Sequence, residues 1–77
     1  MKEAYTVVAS SPLGLGRTPE PKLFEGTPIQ AARRAMDEHR ESYDVKGWNW
    51  LCFNYREQVG MYSEEELKAE VLPSSDA

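Results

Sequence analysis

The chain has 77 residues, of which 40% are hydrophobic and 29% are charged, a composition that is typical of one folded domain with a thin core and excludes a disordered domain. Its one cysteine, Cys52, excludes an internal disulfide and indicates a reducing compartment, so we expect a cytoplasmic protein. No apolar run has the length of a membrane span, and we expect no membrane partner and no signal peptide. The net charge of −4 is concentrated in residues 57–77, with six acids and one lysine, which argues against phosphate-backbone binding by the whole surface.

The N-terminal segment predicts two strands joined by a long loop. Residues 3–10 alternate side chains between two faces, which is typical of a strand. Residues 11–21 contain two glycines and three prolines and therefore predict a surface loop. Residues 22–26 predict a short edge strand that pairs antiparallel with the first, with Leu23 or Phe24 pointing inward.

Three signals agree on a helix that begins after Thr27. The Thr27 hydroxyl can cap the first turn, Pro28 stands at the first helical position, and Gln30 can close a capping box. We expect the helix to run from Pro28 to about Tyr43. Its apolar stripe has helical spacing and consists of Ile29, Ala32, Met36, His39 and Tyr43. On the other face, Arg33/Asp37 and Arg34/Glu38 predict solvated ion pairs at i,i+4.

The second half of the chain predicts two more strands and a short helix. Residues 48–55 carry apolar side chains on both faces, which is typical of a central strand covered on both sides. Residues 59–62 predict a fourth short strand. Ser63 and Glu66 form a second capping box, followed by a helix that we expect to extend to Leu72 and to stop at Pro73.

These elements predict a small α+β domain with the order ββαββα. We expect an antiparallel sheet with the main helix packed on one face and the short C-terminal helix covering part of the other face. Residues 1–73 then form a single domain, and residues 74–77 form a disordered tail.

The histidine, the cysteine, the serines and the glycine-rich stretch of this sequence do not form a catalytic, phosphate-binding or metal-binding pattern. The Gly14–Arg17 stretch lacks the spacing of a dinucleotide or P-loop signature. His39 is the single histidine, and no local spacing pairs it with Ser10, Ser11 or Cys52 as a nucleophile. One cysteine and one histidine do not supply a zinc site. We therefore expect no enzyme, no metal and no cofactor.

Two tryptophans dominate the candidate binding residues. Trp48 and Trp50 stand two apart on a strand and share a face. Three interpretations remain open: burial under Leu67 and Val71, a hot spot for a protein partner, or a platform on which nucleic-acid bases stack. The candidate partner-binding residues are Arg17, Arg33, Arg34, Trp48 and Trp50.

The pattern resembles that of small phage-encoded host-takeover proteins, particularly anti-CRISPR proteins. The resemblance lies in the Met1–Tyr5 opening that leads directly into a strand, the Thr27–Ala35 helix start and the aromatic run WNWLCFNY. It implies a non-enzymatic inhibitor that docks on a large host protein or nucleoprotein complex, such as a CRISPR surveillance complex, and blocks nucleic-acid access or a subunit interface. The alternative is a small nucleic-acid-binding module that uses the sheet aromatics and the helix arginines.

Overall fold

The structure is a computed structural model that describes residues 3–11 and 17–70. It confirms the predicted α+β class and the element order ββαββα. The elements are β1 (Ala4–Ser10), β2 (Lys22–Glu25), α1 (Pro28–His39), β3 (Asn49–Asn54), β4 (Glu57–Ser63) and α2 (Glu64–Ala69). The Gly14–Gly16 part of the loop, the expected end of the second helix at Leu72 and the expected tail at 74–77 lie outside the described residues.

The four strands form one antiparallel sheet in the order β2-β1-β3-β4. Strand β1 pairs with β2 and with β3, which places Val7 opposite Cys52. Strand β3 pairs with β4, and a bulge interrupts the register between Cys52 and Phe53. The predicted edge position of β2 and the predicted central position of β3 are both confirmed.

The start of α1 follows the predicted capping box. Gln30 N–H donates to Thr27 Oγ1 at 3.4 Å, and the Gln30 side chain accepts from Thr27 N–H at 3.0 Å. Gly26, which precedes the cap, has φ +114°, and a Cβ at this position would stand 2.8 Å from Gln30 Oε1. Glycine is therefore required where β2 turns into the helix.

The helix ends at His39, earlier than the expected end at Tyr43. The carbonyl oxygen of His39 accepts from the amides of both Ser42 and Tyr43, at 3.0 and 2.9 Å. The Ser42 bond spans three residues, so the last turn is tightened, and the chain then leads toward β3. Tyr43 still packs against the core, as its place in the apolar stripe predicted.

Both helices pack on the same face of the sheet, so the expectation that the second helix covers the opposite face is wrong. Leu67 of α2 is fully buried in the same core as Met36 of α1 and Trp50 of β3. The Arg33 guanidinium donates to the carbonyl oxygens of Leu67 and Glu70, each at 2.7 Å. Because Arg33 satisfies carbonyls at the end of α2, it fixes the short helix beside α1. In the described part of the chain, no helix is long and apolar enough to cross a membrane.

We expect the substitution Thr27→Ala to destabilise the domain by about 1 kcal/mol, because it removes the acceptor for the Gln30 amide. Urea unfolding of the variant and the parent measures the difference. Thr27→Ser is the matched control, since it keeps the hydroxyl and should retain most of the stability. A Thr27→Ala midpoint equal to that of the parent would show that the cap contributes nothing.

Candidate protein-binding surface

One face of the sheet carries no helix of residues 3–11 and 17–70, and we name it the open face. The pairing register assigns its side chains, because directly opposite residues in antiparallel strands share a face. The side chains of the open face are Ala4, Thr6, Val8 and Ser10 of β1, Leu23 and Glu25 of β2, Asn49, Leu51 and Phe53 of β3, and Gln58, Met61 and Ser63 of β4.

The centre of the open face is apolar. Val8, Leu51 and Met61 are neighbours across three strands, and Phe53 lies opposite Thr6. Met61 is 58% exposed, and Leu23 on β2 is 64% exposed. The solvent side of an antiparallel sheet normally alternates toward polar residues, and contiguous apolar patches on soluble proteins mark interaction sites. The arrangement is therefore suited to contact with another apolar surface.

The open face is also nearly free of charge. Among its described side chains Glu25 is the single charged residue, and it lies on the edge strand β2. No lysine or arginine belongs to the described part of this face. A nucleic-acid backbone requires cations at the contact surface, so the chemistry of the open face suits a protein better than a nucleic acid.

Tyr55 stands at the tip of the hairpin that joins β3 to β4. Asn54 pairs with Glu57, which leaves a two-residue loop of Tyr55 and Arg56. The Tyr55 side chain is 96% exposed, and its backbone has φ +60°. This region favours glycine, asparagine or aspartate in a turn. Neither core packing nor turn geometry therefore accounts for a tyrosine here, and tyrosine is enriched in binding hot spots.

The two tryptophans lie in the core on the helix side of the sheet. Trp48 is 7% exposed and Trp50 has no exposed surface. Their ring centroids are 5.7 Å apart, and the Trp50 ring is stacked on His39 with an interplanar angle of 3°. Of the three interpretations left open by the sequence, the structure shows burial. Trp50 Nε1 is buried without a hydrogen-bond partner among the described residues, so the indole is held by packing of its ring.

The three candidate arginines have different environments. Arg33 is largely covered: it pairs with Asp37 at 3.0 Å and caps α2, so the expected solvated position is wrong for this residue. Arg34 donates to the Glu25 carbonyl at 3.1 Å, and Glu38, its expected partner, pairs with Lys22 at 2.9 Å. Arg17 is exposed. Arg33 and Arg34 thus support the fold, and their role in partner binding stays a prediction, as does that of Arg17.

His39 and Cys52 serve the core. The Cys52 thiol has no exposed surface, and its Sγ donates to the Pro28 carbonyl at 3.0 Å. Burial raises the Cys52 pKa to about 11, which disfavours the nucleophilic thiolate. Burial lowers the pKa of His39, whose ring packs edge-on to Phe24 and Tyr43. Within residues 3–11 and 17–70, no group of three or more His, Cys, Asp or Glu residues is placed to hold a metal ion.

Sequence reasoning missed the residues of the open face as binding candidates. A signal for them is present, because Leu51 and Phe53 make β3 apolar on both faces. The prediction that both sides of this strand are covered is wrong for the described residues, since no described helix lies over Leu51 and Phe53. Tyr55 was included in the same strand pattern, and its place at a hairpin tip depends on the register with β4.

Comparison of the chain with protein-family models, with curated proteins and with solved structures gives no match in any of the three.

We expect Arg33→Gln to destabilise the domain by roughly 2 kcal/mol, because charged hydrogen bonds to partly buried carbonyls are lost. Arg34→Gln is the matched control, since Arg34 makes one exposed bond to a carbonyl and should lose less than half as much. Urea unfolding gives both values, and hydrogen exchange of α2 reports whether this helix separates locally. Equal losses for the two variants would contradict the capping role of Arg33.

We expect Tyr55→Asn to stabilise the domain by roughly 0.5 kcal/mol, because asparagine tolerates positive φ better than tyrosine. Arg56→Asn is the control at the adjacent loop position, where the backbone is not in this region, and should be neutral or slightly destabilising. Thermal or urea unfolding measures both. A loss of stability in Tyr55→Asn would show that the tyrosine ring supports the hairpin.

Proposed function

We propose that this domain is a non-enzymatic, cytoplasmic protein-binding module that docks on its partner through the open face and the neighbouring Tyr55. The observation that carries the proposal is the continuous apolar centre of a sheet face that no described helix covers. Burying such a surface against a partner gains free energy in proportion to the apolar area removed from water. An exposed tyrosine at the edge adds a rigid aromatic contact with a hydroxyl for hydrogen bonding.

The charge distribution favours a particular kind of partner surface. A partner that contacts the centre of the open face should place apolar side chains there and no charged ones, because an unpaired charge buried in this contact would lose its hydration. Beyond the face, α2 begins with Glu64, Glu65 and Glu66, and the chain carries a net charge of −4. A partner with an apolar patch flanked by lysines or arginines is therefore complementary, and its association is faster at low salt.

We further propose that docking inhibits the partner. This part of the proposal comes from the resemblance to phage-encoded host-takeover proteins. A partner that has an apolar patch beside basic residues is typical of proteins that hold nucleic acid or join subunits in a nucleoprotein complex. Docking of this acidic domain there blocks the nucleic acid or the neighbouring subunit. The negative net charge of the domain and the resemblance of its sequence pattern support the proposal of inhibition.

The decisive experiment compares matched variants in affinity capture from an extract of the source cells or their host. Leu23→Lys/Thr6→Lys places two charges on the open face, and Ser42→Lys/Ala69→Lys adds the same charge at exposed positions away from it. We expect a partner that is retained by the parent and the control and reduced at least tenfold by the open-face variant, the usual effect of disrupting a hot spot. Calorimetric titration of the captured protein then gives the affinity of each variant.

Equal capture by all three proteins, each shown to be folded by circular dichroism, would contradict docking through the open face. The nucleic-acid alternative is tested separately by fluorescence anisotropy with single-stranded RNA and DNA oligonucleotides. We expect no saturable binding near physiological salt, because the described open face has no cation for the phosphates. Tight binding that weakens steeply with salt would instead favour the nucleic-acid module.

A further inference from the structure

Strand β4 has an unpaired edge that is bulged in one half and regular in the other. In the described part of the chain, β4 pairs with β3 on one side and no strand pairs with its other side. The register skips Val59, where a bulge interrupts the pairing between Cys52 and Phe53. A bulge twists the edge of a sheet away from further pairing. Residues 60–63 pair with β3 without interruption, and their outer side presents backbone N–H and C=O groups that can pair with another strand.

The two ends of β4 differ in charge. At the hairpin end, Arg56 stands next to Glu57, so their formal charges cancel. Residues 60–63 carry no charged side chain. Directly after them, the first turn of α2 carries three consecutive glutamates at 64–66. The regular half of the edge is therefore uncharged along its length and adjoins a negative end.

Glu65 has the carboxylate at this end that remains free to pair with another molecule. The Glu66 carboxylate accepts from the amide of Ser63 at 3.2 Å, and the Glu64 carboxylate pairs with Lys68 at 3.3 Å. Glu65 is exposed, and no described residue forms a hydrogen bond or an ion pair with its side chain. The exposed carboxylate is therefore complementary to a lysine or an arginine of a partner.

We propose that an extended segment of the partner protein pairs antiparallel with residues 60–63 and places lysines or arginines beside Glu65. The inference rests on the proposed function, because it takes the partner to be a protein with basic residues, and it adds a second point of contact. Strand addition of this kind takes its affinity from main-chain hydrogen bonds and its specificity from alternate side chains. A second copy of this chain, with its net charge of −4, is repelled, whereas a basic segment is attracted.

The direction of the segment follows from the sheet. All three ladders of this sheet are antiparallel, and antiparallel pairing is slightly more stable per residue than parallel pairing. The end of β4 that leads into α2 is its C-terminal end. In an antiparallel pair, the N-terminal end of the added segment lies there. The basic residues of the segment therefore precede the residues that pair with β4.

The two faces of β4 predict the side chains of the paired residues. Met61 is 58% exposed on the open face, and a residue directly opposite it shares that face. An apolar side chain there extends the apolar centre of the open face. Tyr62 lies on the helix side and packs against the core, so the residue opposite it contacts the tyrosine ring. β-Branched residues suit both positions, and a polar residue suits the position opposite Ser63.

An NMR titration tests the proposal with the synthetic peptide acetyl-KKTVVT-amide, which has this order of residues. We expect saturable shifts of the backbone amides of residues 60–66 in isotope-labelled protein at peptide concentrations up to millimolar. The peptide acetyl-EETVVT-amide is the matched control, and it should bind at least about fivefold more weakly because its acids face Glu65. Higher salt should weaken the binding of the basic peptide.

A charge exchange tests the position of the basic residues. Glu65→Lys should weaken binding of the basic peptide by about fivefold, the upper end for an exposed ion pair, and should improve binding of the acidic control peptide. Glu41→Lys is the matched control, because it makes the same charge change at an exposed residue beyond α1. The end of α1 lies near the opposite edge of the sheet, since His39 packs against Phe24 of β2.

Absence of shifts at residues 60–63 would overturn the strand addition, and equal binding by Glu65→Lys and Glu41→Lys would overturn the role of Glu65. The reversed peptide acetyl-TVVTKK-amide places its lysines beside Glu65 only in a parallel pair, so binding as tight as that of acetyl-KKTVVT-amide would overturn the antiparallel direction. Shifts of the same amides on dilution of the protein alone would assign the edge to a second copy and overturn the proposal.

The open-face variant Leu23→Lys/Thr6→Lys separates this inference from the proposed function. Both substitutions lie on β1 and β2, away from β4, so the variant should bind the basic peptide like the parent. Loss of peptide binding in this variant would contradict a contact confined to the β4 edge. If the parent captures its partner but does not bind the peptide, the strand addition alone fails. If the peptide binds but capture does not depend on the open face, docking through the open face alone fails.

Discussion

The structure depends on the close approach of α1 to one face of the sheet. Ala31, Ala32 and Ala35 are buried on the contact side of the helix, with 0 to 1% of their surface exposed. Their small side chains bring the helix backbone near the strands, so that the Cys52 thiol reaches the Pro28 carbonyl. The fully buried Trp50 fills the remaining space beneath the helix. Truncation of a large aromatic residue in such a position costs roughly 3–5 kcal/mol, a large part of the stability of a small domain.

The second helix is held on the same side by a polar contact and a single apolar anchor. Leu67 enters the core, while Arg33 crosses from α1 to the carbonyls at the end of α2. A helix of six residues is too short to be stable alone, so its position is set by what it contacts. Gly47 N–H donates to the Glu64 carboxylate at 3.2 Å and ties the start of α2 to the loop before β3; this bond also lowers the Glu64 pKa.

Because both helices lie on one side, no described helix covers the other face of the sheet, and this asymmetry is the basis of the proposed function. The apolar side chains on this face contribute little to the stability of the isolated domain, because they remain partly or largely exposed to water. The same asymmetry leaves the β4 edge accessible, because α2 continues from the end of this strand and packs toward α1. Tyr55, at positive φ on the adjoining hairpin, adds a feature that stability does not require.

The sequence by itself determined the local structure of this protein. The capping boxes at Thr27 and Ser63, the antiparallel pairing of β1 with β2 and the central position of β3 follow from neighbouring residues and from periodicity, because caps and strand alternation are short-range properties. The tertiary structure decided what those elements cover. Apolar residues on both faces of β3 indicate burial but carry no information on whether a helix of this chain or another molecule provides it. Arg33 is a second example. Its spacing predicts the pair with Asp37, but only the packing of the two helices brings its guanidinium to the carbonyls at the end of α2. Contacts between elements distant in the chain depend on the direction in which each helix leaves the sheet, and no local pattern specifies that direction.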